Sequence, residues 1–403
     1  MKILHTSDWH LGKRLEHISR MEEQEAVLQE IQDIAEQENV DAIIIAGDLF
    51  DTYNPPAEAV DLFYRFLKRM ANDGKRAVIA IAGNHDAPER IEAPDPLARE
   101  CGIIFSGFPG TEVKPFELSK GIKIVNSEPG FVELKLPECS DPLRVILTPY
   151  ANELRLKTYT GQSDLELRLA LQEKWTNVAE KHCDNNGVNV LLTHLFLIDK
   201  SGEIPEEPED EKPILHVGGA QAIYTENIPG EVQYTALGHL HGRRVYNNNS
   251  VTAYSGSPLS YSFAEAGQQK SVFIVNVEAE KKPELKTVVL KQGKPLIRKR
   301  FESVSEAILW LQDNQHALVE LTLVTDEFLK AEERKQVLEA HKGIVSIIPE
   351  IRNKELLTQS KGNAIDLSKD RESLFKDYFL LATGQEVNDE LLSVYKEITA
   401  SEE

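Results

Sequence analysis

The stretch Ala77 to Asp86 reads A-V-I-A-I-A-G-N-H-D, a short apolar run that stops at a glycine and hands over to three polar side chains. Continuous apolar runs of this length suit parallel strands covered on both faces, and ligands of open α/β sheets gather beyond the carboxyl ends of such strands. Gly83 lets the backbone turn, after which Asn84 offers an amide oxygen, His85 an imidazole and Asp86 a carboxylate. Two earlier stretches have the same form. Ile3 to Thr6 is followed by Ser7-Asp8-Trp9-His10, and Val40 to Ala46 is followed by Gly47-Asp48-Leu49-Phe50-Asp51. Residues two apart in an extended segment point the same way, so Asp8 and His10 can reach one point in space. Apolar spacing between these runs predicts helices over Arg20 to Gln37 and Ala57 to Asn72. Strand, helix, strand, helix, strand is the pattern of parallel βαβ units.

After Asp86 the pattern loosens through Pro88, Pro94, Pro96 and Pro109. Strand-like runs return at Ile122 to Val125, Phe131 to Leu136 and Leu143 to Leu147, which predicts a second sheet of more antiparallel character. A helix over Leu165 to Lys181 leads to Val188 to His194, a fourth strand ending in a histidine. Tyr234 to His241 is a fifth, where Gly238 meets the H-x-H pair His239 and His241. The texture changes near residue 275, which places a domain boundary between Val277 and Leu285. The expected order is a first domain over 1–277 and a small α/β domain over 285–352, then a polar linker over 353–367 and a helical segment over 368–403. In the small domain, strands are expected at Leu285 to Leu290, Val319 to Val324 and Ile344 to Ile348, with helices at Val304 to Asp313 and Leu329 to His341.

A chain of 403 residues can hold two or three cores, and 41% hydrophobic with 28% charged residues is ordinary for a soluble protein. Cys101, Cys139 and Cys183 form no C-x-x-C pair, which argues against a disulfide framework or thiolate zinc site and fits a reducing cytoplasm. There is no leader-like or membrane-length apolar run. The net charge of −21 weighs against a nucleic-acid partner, but charge is unevenly spread. Asp199 to Glu211 holds seven acids against Lys200 alone, and reads as a solvated loop. Lys281 to Arg300 holds eight bases against one acid, Glu284. Such a run is ordinarily a solvated edge.

Singly, these motifs are weak, because a histidine beside an apolar strand is usually structural. Together they are not: five of the eleven histidines (His10, His85, His194, His239, His241) follow the ends of apolar strands, in company with Asp8, Asp48 and Asn84. A pair of divalent metals needs such a mixture of imidazole and oxygen donors with a bridging carboxylate, and Asp48, alone at its tip, is the natural bridge. With Asp8 and Asp48 as the anionic ligands, two negative charges face four positive ones. A phosphodiester suits the resulting net positive site, where metals polarise the phosphoryl oxygens and lower the pKa of a bound water.

Asp8 with His10, G-D-x-x-D at Gly47 to Asp51, G-N-H-D at Gly83 to Asp86, His194 and G-H-x-H at Gly238 to His241 resemble the calcineurin-like metallophosphoesterases, in the family's order. The opening K-I-L-H-T-S-D-W-H-L-G, the segment A-G-D-L-F-D-T with Pro55-Pro56 after it, and A-L-G-H-L-H resemble more narrowly the SbcD family of nuclease subunits. The resemblance implies an α/β sandwich of two mixed sheets flanked by helices, with a small α/β capping domain and C-terminal helices. It implies one metal on Asp8, His10, Asp48 and His241 and a second on Asp48, Asn84, His194 and His239. Manganese is the first expectation, with magnesium, iron and zinc as alternatives. His85 would be the catalytic histidine that stabilises or protonates the leaving oxygen, and Asp51 the carboxylate that orients it. Asp51 reads equally well as a loop cap on Thr52 or Tyr53. Phosphoprotein phosphatases of this group carry an arginine where Thr52 stands, which weakens that reading.

The activity so implied is a metal-dependent DNA exonuclease and endonuclease of the cytoplasm, acting in repair and recombination. Its partners would be DNA and an SbcC-type coiled-coil ATPase, as a heterotetramer, with a homodimer as a further expectation. Lys291, Lys294, Arg298 and Lys299 are the candidate DNA contacts. Leu374, Phe375, Tyr378, Phe379, Leu391 and Tyr395 are the candidate ATPase contacts, on apolar faces of two C-terminal helices that begin at an N-cap, Ser368. The competing readings are a phosphodiesterase for nucleotides or small phosphodiesters and a non-catalytic platform for the ATPase. An unbroken ligand set tells against the platform.

Overall fold

The computed structural model describes residues 1–152, 155, 164–200, 223–247, 250–325, 329–351, 371–383, 387, 391–392 and 395. They fall into two compact units, 1–298 with 316–319, and 299–315 with 320–403.

The first unit is built on two sheets. In the first, β1 (Lys2–Thr6), β2 (Ala42–Ile45), β3 (Ala77–Ile81) and β4 (Ile103–Ser106) run parallel in that order. The second contains β5 (Lys123–Glu128), β6 (Phe131–Lys135), β7 (Leu143–Thr148), β8 (Val188–His194), β9 (Tyr234–Gly238), β10 (Arg244–Asn247) and β11 (Val251–Tyr254), in the order β10-β11-β9-β8-β7-β6-β5. Its centre, β7 to β11 through β8 and β9, is parallel, and antiparallel pairing is confined to the two edges. Two strands, β12 (Ser271–Asn276) and β13 (Glu284–Val289), return antiparallel to the β1 edge of the first sheet.

Alternation along the strands explains the layering. Leu4, Ile43, Ile45, Val78 and Ala80 face the helices, whereas Ile3, Ala42, Ile44, Ala77 and Ile79 face the second sheet. On that sheet Val145, Val190 and Ala236 meet the first sheet, while Ile146, Leu191 and Leu237 turn outward. The outer layers are α1 (Met21–Gln37) and α2 (Ala57–Met70) on one side and α3 (Asp164–His182) on the other. In α2 the buried positions Ala59, Leu62, Phe63, Phe66, Leu67 and Met70 recur at three- and four-residue steps, the stripe of a helix laid on a sheet. Each large side chain so buried contributes roughly 1.5–3 kcal/mol.

The expected boundary at Val277 to Leu285 is corrected by this pairing. The run from Leu285 is a strand of the first sheet, because β12 has an outer edge that the returning chain covers, and Leu290 is buried in the same core as α1 and α2. The first unit therefore runs to Arg298. The second holds the larger part of a three-stranded sheet of β14 (Leu296–Phe301), β15 (Leu318–Thr325) and β16 (Ile344–Ile351), with α4 (Val304–Asp313) and α5 (Ala331–Ala340). Ser303 caps α4 by accepting from Glu306 N. It also carries α6 (Arg371–Thr383), at the first of the expected C-terminal helices. The linker over 353–367, Ser368 and most of the acidic loop, 201–211, lie outside the described residues. Among the described residues no helix is long and apolar enough to cross a membrane.

Candidate metal centre

Register places the site. Ile3 pairs with Ala42 and Ala42 with Ala77, so β1, β2 and β3 end at one level and their polar tips leave the sheet side by side. The tips continue the ladder beyond it: Asp8 N donates to Gly47 O at 3.0 Å, His10 N to Asp48 O at 3.0 Å and Leu11 N to Leu49 O at 3.1 Å. In the second sheet His194 is the last residue of β8 and pairs with Gly238, the last of β9, so His194 and His239 leave together. The two sets of tips meet where His194 Nδ1 bonds Ala46 O at 2.7 Å. Gly238 permits that approach, since a Cβ there would lie 1.8 Å from Ala46 O.

The donors converge. His10 Nε2 lies 3.1 Å from His241 Nε2, Asn84 Oδ1 lies 2.9 Å from His194 Nε2 and 3.2 Å from His239 Nδ1, and Asp48 Oδ2 stands 3.3 Å from His194 Nε2 and 3.7 Å from His10 Nε2. Asp8, Asp48 and His194 form one close group of donor atoms, and Asp8, His10 and His241 another. Two donors each about 2.1 Å from a shared cation and at 90–110° to one another lie roughly 3.0–3.4 Å apart. Most of these spacings match that range, so the donor set fits divalent cations; Asp8 belongs to both close groups, and Asp48 Oδ2 lies near His10 as well as His194.

Electrostatics agree with the geometry. Asp8 and Asp48 are wholly buried, and burial raises the Asp8 pKa. Burial alone would lower His194, but Asp48 and Asp8 outweigh it and hold the imidazole up at about 9. Two buried carboxylates therefore draw positive charge inward. Four of the donors also sit in left-handed backbone conformations: φ is 52° at Asp8, 43° at His10, 47° at Asp48 and 104° at His239. Residues held this way mark places where the surrounding structure over-determines the chain.

His85 is half-buried beside this cluster. Its ring centroid is 4.9 Å from that of His10, its N–H donates to Asp48 Oδ1 at 2.9 Å, and its Nδ1 bonds Asp51 O at 2.8 Å. Asp51 meets His85 through its main-chain carbonyl, while its carboxylate lies 3.0 Å from Lys13 Nζ, 3.6 Å from His10 Nδ1 and within 4.8 Å of a His85 ring nitrogen. Burial would raise the Asp51 pKa, but His10 and Lys13 together hold it below the usual carboxylate range. The loop thus sets the Asp51 carboxylate between the first tip and His85, with the carbonyl bonded to the imidazole.

Several supports carried no assignment in the sequence. Asp86 turns away from the donors and accepts from Leu49 N, Phe50 N and Gly83 N at 3.0, 3.0 and 2.8 Å, locking the second and third tips together. Burial and the neighbouring Asp48 push its pKa up to about 6. Arg155, buried, donates to Gly83 O at 2.7 Å and Asp86 O at 2.9 Å, clamping the turn on both sides of Asn84 and His85. Gln24 of α1 holds His10 O at 2.8 Å, and Glu265 stands 3.2 Å from His241 Nδ1. The only sequence signal among these was the D of N-H-D.

The other candidates belong to none of the close donor groups. Lys291, Lys294, Arg298 and Lys299 are exposed. The chain beneath the first two is fastened to α1, with Lys291 N and Gln292 N on the Glu30 carboxylate and Lys294 N 2.6 Å from Glu23 Oε2. Lys281, Lys286 and Arg300 of the same basic run form ion pairs with Glu278, Glu38 and Glu350. At the C-terminus Tyr378 and Leu391 are exposed, Leu374 and Phe379 half-buried, and the Phe375 ring stacks on Tyr395 at 4.1 Å.

Comparison with known proteins gives a consistent picture. Residues 1–243 match the family described as calcineurin-like phosphoesterase. The SbcD subunit of the nuclease SbcCD from Bacillus subtilis is 34% identical over 421 residues, covering 100% of this chain and 99% of its own length. Its counterpart in Staphylococcus epidermidis is 29% identical over 283 residues, 69% of this chain and 66% of its own, and that of Escherichia coli K12 is 28% identical over 350 residues, 83% and 81%.

Proposed function

The chain belongs to the calcineurin-like phosphoesterases and, within them, to the SbcD family, and from that premise we propose a metal-dependent DNA exonuclease and endonuclease that works with an SbcC-type coiled-coil ATPase on double-strand ends and hairpins. The observation that carries this reading is the meeting of five strand tips from two sheets in one buried donor cluster, with His85 beside it. Asp8, His10, Asp48 and His241 would hold one cation, and Asp48, Asn84, His194 and His239 the other. Bound there, divalent cations supply Lewis-acid polarisation of the phosphoryl oxygens. Manganese is our assignment, given the mixed oxygen and imidazole donors.

The chain's own groups divide the remaining work. A carbonyl only accepts, so the bond to Asp51 O places hydrogen on His85 Nδ1 and leaves Nε2 to take and give the proton. His85 protonates the leaving oxygen in this reading, and Asp51 serves twice, its carbonyl orienting His85 and its carboxylate backing His10. By the same logic Ala46 O fixes the proton of His194 on Nδ1 and frees Nε2 as a donor. The exposed Lys291, Lys294, Arg298 and Lys299 guide the phosphate backbone, and the helices carrying Leu374, Phe375, Tyr378, Phe379, Leu391 and Tyr395 dock on the ATPase. We place the protein in the cytoplasm, as a heterotetramer with the ATPase that contains two copies of this chain.

The test is to incubate the purified chain and Mn2+ with a hairpin DNA and a small chromogenic phosphodiester, with and without the ATPase. Cleavage of both substrates, with that of DNA raised by the ATPase, is the expected result. Hydrolysis of the small ester while the hairpin stays intact in both arms would replace this reading with a small-molecule phosphodiesterase.

A further inference from the structure

We propose that Glu265, fastened by Lys270, is the positioning residue for His241 and sets the affinity of the cation that His241 holds. The inference rests on the reading of His241 as a ligand. It begins from a buried ion pair in the chain between β11 and β12, outside the five strand tips themselves. Glu265 and Lys270 have side chains only 5% and 9% exposed. A pair taken so far out of water seldom adds stability over an apolar pair of the same volume. Its geometry gives it another purpose.

One carboxylate oxygen, Glu265 Oε1, lies 3.2 Å from His241 Nδ1 and accepts from Tyr261 N at 3.1 Å. The other pairs with Lys270 Nζ and lies 3.4 Å from Ser257 Oγ. Lys270 Nζ donates in turn to His241 O at 3.0 Å and Ser257 Oγ at 3.0 Å, and Ser257 N reaches His241 O at 3.2 Å. Ring and backbone of His241 are thus held by the same pair. Even Gly256 belongs to the cradle, for a Cβ there would come within 2.5 Å of His241 O. A carboxylate behind an imidazole fixes the proton on Nδ1, aims Nε2 and strengthens it as a donor. His194 has a main-chain carbonyl in the corresponding place, so losing Glu265 should touch one cation and spare the other.

Two variants test this on the full chain. Glu265→Gln combined with Lys270→Met removes both charges at similar volume. Glu265→Asp keeps a charge for Lys270 but draws the carboxylate back from the ring. Cation-free protein is titrated with Mn2+ in a calorimeter, and its melting temperature is measured alongside. Two binding steps are expected in the parent chain, and in each variant one step weakened by roughly 10- to 100-fold with the other unchanged. Excess Mn2+ should then restore hydrolysis of the small ester. Parental affinity for both ions in either variant would overturn the proposal. So would equal weakening of both steps with a lowered melting temperature, which would make the pair a loop support. A parent chain that takes up no Mn2+ would overturn the ligand reading itself, and this inference with it.

Discussion

His85 and Asp48 touch, through the His85 N–H on Asp48 Oδ1, yet their removal should have different results. His85→Ala should keep two ions by metal analysis while turnover of the small ester falls by roughly 10²- to 10⁴-fold, the usual worth of a positioned proton donor. Asp48→Ala should lose both ions. An empty His85→Ala protein would make His85 a ligand. A second residue gives the chain a pH dependence unrelated to its chemistry. His5 is buried between the sheets, with Nδ1 2.7 Å from Tyr234 Oη and Nε2 3.2 Å from Leu237 O, and burial lowers its pKa to about 3 in spite of that carbonyl. Between the ordinary 6.5 and about 3 the unfolded chain binds a proton that the folded chain refuses. Stability should therefore fall as pH drops below 6.5, by up to about 1.4 kcal/mol per unit from this residue. Denaturant melts across that window should show a flatter slope for His5→Gln; an identical slope would clear His5. Asp51 shows what one residue hides in a sequence: its identity gives a carboxylate, and only the folded loop decides that the carbonyl meets His85.

The strand tip is the element on which the site depends. At Gly238 an added methyl would meet Ala46 O, a main-chain atom that cannot swing aside as the end of a flexible side chain could. Gly238→Ala should push the two sheets' tips apart, empty the cation sites and lower the melting temperature, whereas Gly230→Ala, with nothing within 4 Å of its Cβ, should do neither. Metal content and melting curves of the pair decide it. These tips were legible in the sequence because a short apolar run and the polar donor that follows it are local facts, and parallel register brings them level. The supports were not. Asp86, Arg155 and Glu265 act largely on backbone atoms or on a ring brought near by the fold, and no periodicity marks them. The strand at Glu284–Val289 was hard to place for a related reason: it is mostly exposed and its burial follows no two-residue period, and the sheet it joins is decided by the outer edge that β12 leaves open just before it.

Over the whole molecule, charge and chain ends carry the remaining expectations. A protein of net charge −21 must meet DNA through a restricted surface. Changing Lys291, Lys294, Arg298 and Lys299 to Ser should lower the magnitude of the salt slope of DNA binding by roughly 0.9 for each phosphate no longer neutralised, and leave small-ester hydrolysis alone. An unchanged slope would return the stretch to a solvated edge. Ending the chain at Ser360 should spare cations and small-ester hydrolysis while abolishing capture of the ATPase; a truncated chain that still co-purifies with it, or that unfolds, would end the docking assignment. The left-handed backbone at Asp8, His10, Asp48 and His239 bears on heat tolerance as well as chemistry. Such conformations cost a residue with a Cβ roughly 1–3 kcal/mol each, and glycine is largely exempt. A lineage selected for thermal endurance alone would drift toward glycine at these four positions and arrive at a hardier protein with no ligands, so the strain persists only where catalysis is under selection.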